Sequence, residues 1–118
     1  MTTATPTYPL FLNLADRATL VVGGGPVATG RARALLAAGS TVTLVAPEAT
    51  DDICAWDADP STALTWRRRA FTSDDVAGAW LVHAATGVAA VDDAVVAAAD
   101  AAGTWSVRAS QAATSPAW

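Results

Sequence analysis

The chain has 118 residues, and its seven arginines, ten aspartates, one glutamate and absence of lysine give a formal net charge of −4. This length suits one domain with its own core, and the acidic balance argues against general nucleic-acid binding. The single cysteine, Cys54, excludes an internal disulfide and a cysteine-cluster metal site. No apolar run approaches the ~20 residues of a membrane span, and the start lacks the basic and apolar regions of a signal peptide. Composition therefore predicts one soluble, cytoplasmic domain over residues 1–118.

Short apolar runs alternate with helix-forming stretches along the chain. Strands are predicted at 18–22, 41–46, 64–71, 80–85 and 104–108. Helices are predicted at 26–38, around 53–56 and at 88–102, with one helical turn capped at 73–75. This alternation predicts an α/β fold, a Rossmann-like parallel sheet of about five strands with helices on both faces.

A glycine loop, Val22-Gly23-Gly24-Gly25-Pro26-Val27-Ala28, joins the first predicted strand to the first helix. It has the form G-x-G-x-x-A, in which Gly23 makes the tight turn, Gly25 lets the backbone approach a pyrophosphate, and Ala28 permits close helix packing. The start of the helix offers N–H groups and the positive end of its dipole to an anion. This context favours nucleotide binding, and the alternative is a glycine-rich turn that binds nothing.

The acid that usually grips the ribose at the end of the second strand is absent. That strand ends Leu44-Val45-Ala46-Pro47, and the first acid is Glu48. Glu48 is either a ligand of the adenosine ribose or a solvated loop acid. The absence of arginine from this segment favours NAD over NADP.

Several segments together resemble one known family. They are Pro9-Leu10-Phe11, the glycine loop, Leu35-Leu36-Ala37-Ala38-Gly39, Val42-Thr43-Leu44-Val45-Ala46-Pro47 and Ala84-Ala85-Thr86. From about Pro9 to Arg108 the chain resembles the N-terminal domain of siroheme synthase, the precorrin-2 dehydrogenase (sirohydrochlorin ferrochelatase) module. The resemblance implies NAD-dependent oxidation of a tetrapyrrole, precorrin-2, to sirohydrochlorin by a homodimer.

The resemblance also implies where the cofactor binds. The implied cofactor-binding residues are Gly23, Gly24, Gly25, Pro26, Val27, Pro47, Glu48, Ala85 and Thr86. No metal site is expected.

Two departures from the family pattern bear on catalysis. Ser110, or Gln111 under a one-residue slip, stands where the family has a catalytic aspartate, and neither a hydroxyl nor an amide acts as a carboxylate base near pH 7. In the family, dimer-building and helical segments follow the position of residue 118, and this chain does not contain them. The sequence therefore leaves three alternatives: a dehydrogenase domain, a non-catalytic NAD- or tetrapyrrole-binding module, or a fragment of a longer enzyme.

Other charged residues have two interpretations each. The run Arg67–Arg69 is either a clamp for tetrapyrrole carboxylates or a solvated strand end. Arg108 is either a substrate contact at a strand end or one partner of a surface ion pair. His83 is a packed strand residue, an acid or base, or, with Cys54, a metal ligand. Asp92 and Asp93 are expected to favour the dipole of the last helix.

Overall fold

The computed structural model describes residues 11–108, and within them five strands form one parallel sheet. The strands are β1 (Ala18–Val22), β2 (Thr41–Val45), β3 (Leu64–Arg67), β4 (Leu81–Ala84) and β5 (Trp105–Arg108). Their spatial order is β3-β2-β1-β4-β5, and every neighbouring pair is parallel. The predicted Rossmann-like sheet is thus confirmed. The order reverses between β1 and β4, because the chain first adds strands on one side of β1 and then on the other.

Helices cover both faces of this sheet, as predicted. They are α1 (Pro26–Ala37), α2 (Asp51–Ala58) and α3 (Ala89–Ala101), with a 3-10 helix at Ser73–Val76. On one face, Ala28 and Ala32 of α1 and Ile53 of α2 pack with Val21 and Leu44 of the sheet. None of the helices in the described range is long and apolar enough to cross a membrane.

The other face carries α3 and the 3-10 helix. There Val95 and Ala99 of α3 pack with Val22 and Val82 of the sheet, beside Val76 of the 3-10 helix. Ala28 and Ala32 of α1 and Ala99 of α3 are fully buried, so each helix backbone lies close to the strands. This close packing fixes the positions of α1 and α3 relative to the sheet, and with them the loops that join β1 to α1 and β4 to α3.

Apart from shifts of one or two residues at the ends of other elements, two elements differ from the sequence prediction. Strand β3 ends at Arg67 instead of residue 71, because the strand it pairs with, β2, ends at Val45 and is followed by Pro47, which has no N–H for the ladder. The cap of the 3-10 helix is Thr72 instead of Ser73, since the Thr72 side chain and the Asp75 carboxylate form a reciprocal capping box.

Candidate functional site at the carboxyl edge of the sheet

The candidate site lies where the strand order reverses. The loop after β1 runs to α1 on one face, whereas the loop after β4 runs to α3 on the other face. The two loops diverge and leave a crevice at the carboxyl ends of the strands. Open α/β sheets bind their ligands in such crevices.

Gly23 and Gly24 are required by the packing of the protein itself. Gly23 has a φ of +130°, and a Cβ added there would lie 2.3 Å from the carbonyl oxygen of Ala85. A Cβ on Gly24 would lie 1.9 Å from the carbonyl oxygen of Glu48. The loop after β1 therefore touches Ala85, which follows β4, and Glu48, in the connection from β2 to α2. Only glycine allows these two approaches.

Gly25 has a different environment. It caps α1 with φ −85° and ψ −168°, an extended conformation open to any residue. A Cβ added at Gly25 would meet nothing within 4 Å. The fold does not need glycine here, and the space in front of the helix is open to a ligand that approaches the backbone closely. This geometry fits the pyrophosphate of a dinucleotide.

Acidic residues are distributed unevenly among the three helix starts. The first turn of α2 contains Asp51 and Asp52, and the first turn of α3 contains Asp92, whereas the first turn of α1 contains no acid. Acids at a helix start neutralise the positive end of its dipole. The start of α1 is thus the one that retains its attraction for an anion, and it faces the open space at Gly25.

Two threonines that the sequence interpretation missed hold this loop. The Thr29 hydroxyl donates to the carbonyl oxygen of Gly25 at 2.8 Å and lies 2.7 Å from the Thr50 hydroxyl. The Thr50 N–H donates to the carbonyl oxygen of Gly24 at 2.9 Å. The glycine loop is therefore tied to the start of α2. The sequence signal for this role is the position of Thr29 four residues after Gly25, because a threonine at that spacing in a helix can donate to the earlier carbonyl oxygen.

Among residues 11–108, two cavities are lined by residues at this edge, and the larger has a volume of about 430 Å³, within the range of small-molecule sites. Its walls are mostly apolar. It is lined by Val22, Gly23, Gly24, Val45, Ala46, Pro47, Glu48, Ala70, Phe71, Thr86, Val88 and Val91. Five of the predicted cofactor residues are among them. Glu48, the one acid of this lining, is exposed in the loop after β2, so both of its interpretations remain open.

The smaller cavity, about 120 Å³, lies in front of α1. It is lined by Gly25, Pro26, Val27, Ala85, Thr86 and Gly87. The structure thus brings all nine predicted cofactor residues to the two cavities, and Thr86 lines both. Their role as cofactor ligands stays a prediction.

Asp92 is a site residue whose burial the sequence did not reveal. Only 1% of it is exposed, and its Oδ1 accepts hydrogen bonds from the Thr86 hydroxyl at 2.7 Å and the Thr86 N–H at 3.1 Å. The expectation for Asp92 was an acid that favours the helix dipole. It does lie in the first turn of α3, and it also fixes the loop after β4.

The arginine run lies at the opposite side of the sheet from β4 and β5. Arg69 forms two hydrogen bonds to the carboxylate of Asp75, at 2.5 and 2.8 Å, and Arg67 lies 3.6 Å from the same group. Arg68 stacks over the ring of Trp66 with its central carbon 4.6 Å from the centroid. Two of the three guanidinium groups therefore contact a buried carboxylate in the structure.

His83 lies within β4 and is buried, and it is not among the residues that line either cavity. Burial, and secondarily the cation Arg31, lowers the pKa of His83 from its usual 6.5 to about 4. Within the described residues, its Nδ1 has no hydrogen-bond partner. The structure does not bring His83 together with the predicted cofactor residues.

Arg108 lies at the end of β5 and forms an ion pair with Asp93 of α3. Ser110 and Gln111, the positions that match the family's catalytic aspartate, lie outside the described residues. Over residues 11–108, no cluster of His, Cys, Asp and Glu suited to a metal ion is found.

The parallel sheet, its reversed strand order and the glycine loop at the start of α1 define a dinucleotide-binding domain of the Rossmann-like class. Residues 10–116 match the family NAD_binding_7, described as "Putative NAD(P)-binding". The chain belongs to this family.

Individual proteins show a more specific similarity. The chain is 41% identical over 103 residues to a siroheme synthase of Xylella fastidiosa, covering 84% of the chain and 21% of that protein. It is 39% identical over 98 residues to a siroheme synthase of Gluconacetobacter diazotrophicus, covering 80% and 20%. The chain thus spans about a fifth of the length of these curated relatives.

A solved structure extends the similarity to the fold. The chain resembles SirC, a precorrin-2 dehydrogenase, with a TM-score of 0.69 and 33% sequence identity. The match covers 76% of this chain and 44% of that one.

Proposed function

We propose that the chain is the NAD-binding domain of a precorrin-2 dehydrogenase, which oxidises the tetrapyrrole precorrin-2 to sirohydrochlorin in siroheme biosynthesis. The observation that carries this proposal is the open space at Gly25 in front of an α1 start that has no acid. The similarity to siroheme synthases and to SirC supplies the substrate class. The activity belongs in the cytoplasm, and the family resemblance favours a homodimer.

Each of the two cavities would hold a different part of the cofactor. The N–H group of Val27, in the first turn of α1 and at the smaller cavity, has no acceptor within the helix and would bind the pyrophosphate. The larger cavity, with Pro47 and Glu48 on one wall, would hold the adenosine, and Glu48 would accept hydrogen bonds from its ribose. The smaller cavity leads from Gly25 to Ala85 and Gly87, toward the nicotinamide end.

When bound, NAD supplies the hydride acceptor for the reaction. The chain's own residues orient the cofactor and exclude water from its adenosine half, where Phe71 and Val91 form apolar walls. Arg108 lies at the end of β5, beside β4, and would contact a tetrapyrrole carboxylate there. Arg67 ends β3, the edge strand opposite β5, and both Arg67 and Arg69 contact the carboxylate of Asp75. We therefore assign the arginine run no substrate contact.

A second candidate function is a module that binds NAD or the tetrapyrrole without catalysis. The observation that favours it is Ser110 or Gln111 at the family's aspartate position. A turnover assay with precorrin-2 and NAD, following the absorbance of NADH, distinguishes the two functions. Turnover by the wild-type chain supports the dehydrogenase. Its absence, with turnover gained in Ser110→Asp, supports the binding module.

The primary experiment is a titration with NAD that follows tryptophan fluorescence. We expect saturable binding to the wild type and at least a tenfold loss in Gly25→Ala, because the added Cβ occupies the space assigned to the pyrophosphate. Gly30→Ala is the matched control, since Gly30 lies within α1, five residues after Gly25, and its added Cβ also meets nothing within 4 Å. Absence of NAD binding by a folded wild type, or equal binding by Gly25→Ala, would contradict the proposal.

A further inference from the structure

We infer that Asp92 is a positioning residue that makes Thr86 recognise a hydroxyl group of the cofactor sugar. The inference rests on the proposed NAD-binding function and extends it to a side chain that lines neither cavity. Thr86 is the one residue common to the two cavity linings. A cofactor that spans both cavities would therefore lie beside this residue.

The buried carboxylate of Asp92 takes both hydrogen-bond donors of Thr86. The Thr86 hydroxyl donates to Oδ1 of Asp92 at 2.7 Å, and the Thr86 N–H donates to the same oxygen at 3.1 Å. Asp92 is only 1% exposed, so water does not compete for these contacts. A second acceptor for the hydroxyl, the Val88 carbonyl oxygen, lies farther away at 3.3 Å.

The remaining capacity of Thr86 follows from this geometry. A threonine hydroxyl has one hydrogen and two lone pairs. Its hydrogen points to Asp92, and one lone pair accepts from the Val88 N–H at 3.1 Å. One lone pair is left for a ligand, so Thr86 offers the cavities an acceptor and no donor.

This arrangement decides which part of a dinucleotide Thr86 contacts. An ionised phosphate oxygen is an acceptor and gains nothing from Thr86, whereas a ribose hydroxyl is a donor that matches the free lone pair. The opposite wall, at the start of α1, offers N–H donors and a positive dipole end. The pyrophosphate is thus directed to α1 and a sugar hydroxyl to Thr86, which fixes the orientation of the cofactor between the two walls.

The test measures NAD affinity by tryptophan fluorescence in variants of the 118-residue chain. We expect Asp92→Ala and Thr86→Val each to weaken NAD binding about fivefold, the effect of one lost hydrogen bond. The double variant should be no weaker than either single one, because both remove the same interaction. Asp92→Asn and Thr86→Ser should bind within about twofold of the wild type, since Oδ1 and the hydroxyl are kept.

Asp100→Ala, an exposed aspartate of the same helix, is the control and should bind NAD like the wild type. Losses that add in the double variant, or an Asp92→Asn loss as large as that of Asp92→Ala, would overturn the inference. If Asp92→Ala does not fold, the contrast between Thr86→Val and Thr86→Ser decides, and equal binding by these two overturns it. A folded wild type that does not bind NAD would instead remove the proposed function itself.

Discussion

Asp75 and Arg69 are joined by two hydrogen bonds across a short loop that forms one wall of the larger cavity. The Asp75 side chain is 2% exposed, and Arg69 donates to its two oxygens at 2.5 and 2.8 Å. The Thr72 N–H donates to the same carboxylate at 2.8 Å. Asp75 therefore anchors both ends of the segment 69–72, whose Ala70 and Phe71 line the cavity.

Replacing this anchor should cost stability and cofactor affinity together. We expect Asp75→Asn to lower the free energy of unfolding by about 1–3 kcal/mol, because it breaks charge-assisted hydrogen bonds of a buried group. NAD affinity should fall as the Phe71 wall loosens. Urea unfolding and NAD titration measure the two effects. The neighbouring exposed Asp74 supplies the control Asp74→Asn, which should change neither; equal losses in both variants would contradict the anchoring role.

The same carboxylate should govern stability in acid. The Arg69 guanidinium holds the pKa of Asp75 below its usual value of 3.8. A lowered pKa in the folded state means that the ionised group stabilises the protein above pH 3.8 and that this contribution disappears as the pH falls below it. We expect the wild type to lose stability in this range more steeply than Asp75→Asn. Parallel curves of unfolding free energy against pH would refute the assignment.

Of two adjacent glycines, only Gly24 should be needed for stability. Gly24→Ala places a Cβ 1.9 Å from a carbonyl oxygen of the β2–α2 loop, whereas Gly25→Ala places it in open space. We expect Gly24→Ala to reduce the free energy of unfolding by at least about 2 kcal/mol, because backbone must shift to relieve the contact. Gly25→Ala should unfold within about 0.5 kcal/mol of the wild type. Thermal unfolding of both variants gives the answer, and similar losses would show that Gly25 too is needed for packing.

Much of the fold was predictable because its strands are short apolar runs with glycine or proline at their ends. The length of β3 could not be predicted, because it depends on Pro47, which follows the neighbouring strand β2. The location of the candidate cofactor site followed from the glycine loop. The roles of Asp75 and Asp92 did not follow, because acids in acidic segments usually face solvent, and only the tertiary packing shows that these two carboxylates are buried against Thr72 and Thr86.

The threonine pair that ties the glycine loop to α2 should affect stability and binding alike. Thr29→Val keeps the shape of the side chain but removes its hydrogen bonds to Gly25 and Thr50. We expect a loss of about 1 kcal/mol in unfolding free energy and weaker NAD binding, because Gly25 is less firmly held. Thr29→Ser restores the hydroxyl and should recover NAD affinity. A Thr29→Val variant with unchanged affinity would show that the loop needs no such support.

His83 is the only histidine of the chain, so its titration can be isolated. Burial lowers its pKa from 6.5 to about 4, and the folded protein therefore holds the imidazole neutral where the unfolded chain takes up a proton. The sign follows from this difference: stability is full above pH 6.5 and declines as the pH falls toward 4, by about 3 kcal/mol in total.

A variant without the imidazole should lack this fall in unfolding free energy between pH 6.5 and pH 4. We expect His83→Leu to be at least as stable as the wild type at pH 7, because it replaces a buried Nδ1 that has no partner among the described residues. Between pH 6.5 and pH 4, it should lose less stability than the wild type. Denaturant unfolding across this range tests the difference, and NMR of the single imidazole reads its pKa directly. An imidazole that titrates near 6.5 in the folded protein would show that His83 reaches solvent, and it would reopen its candidacy as an acid or base for the reaction.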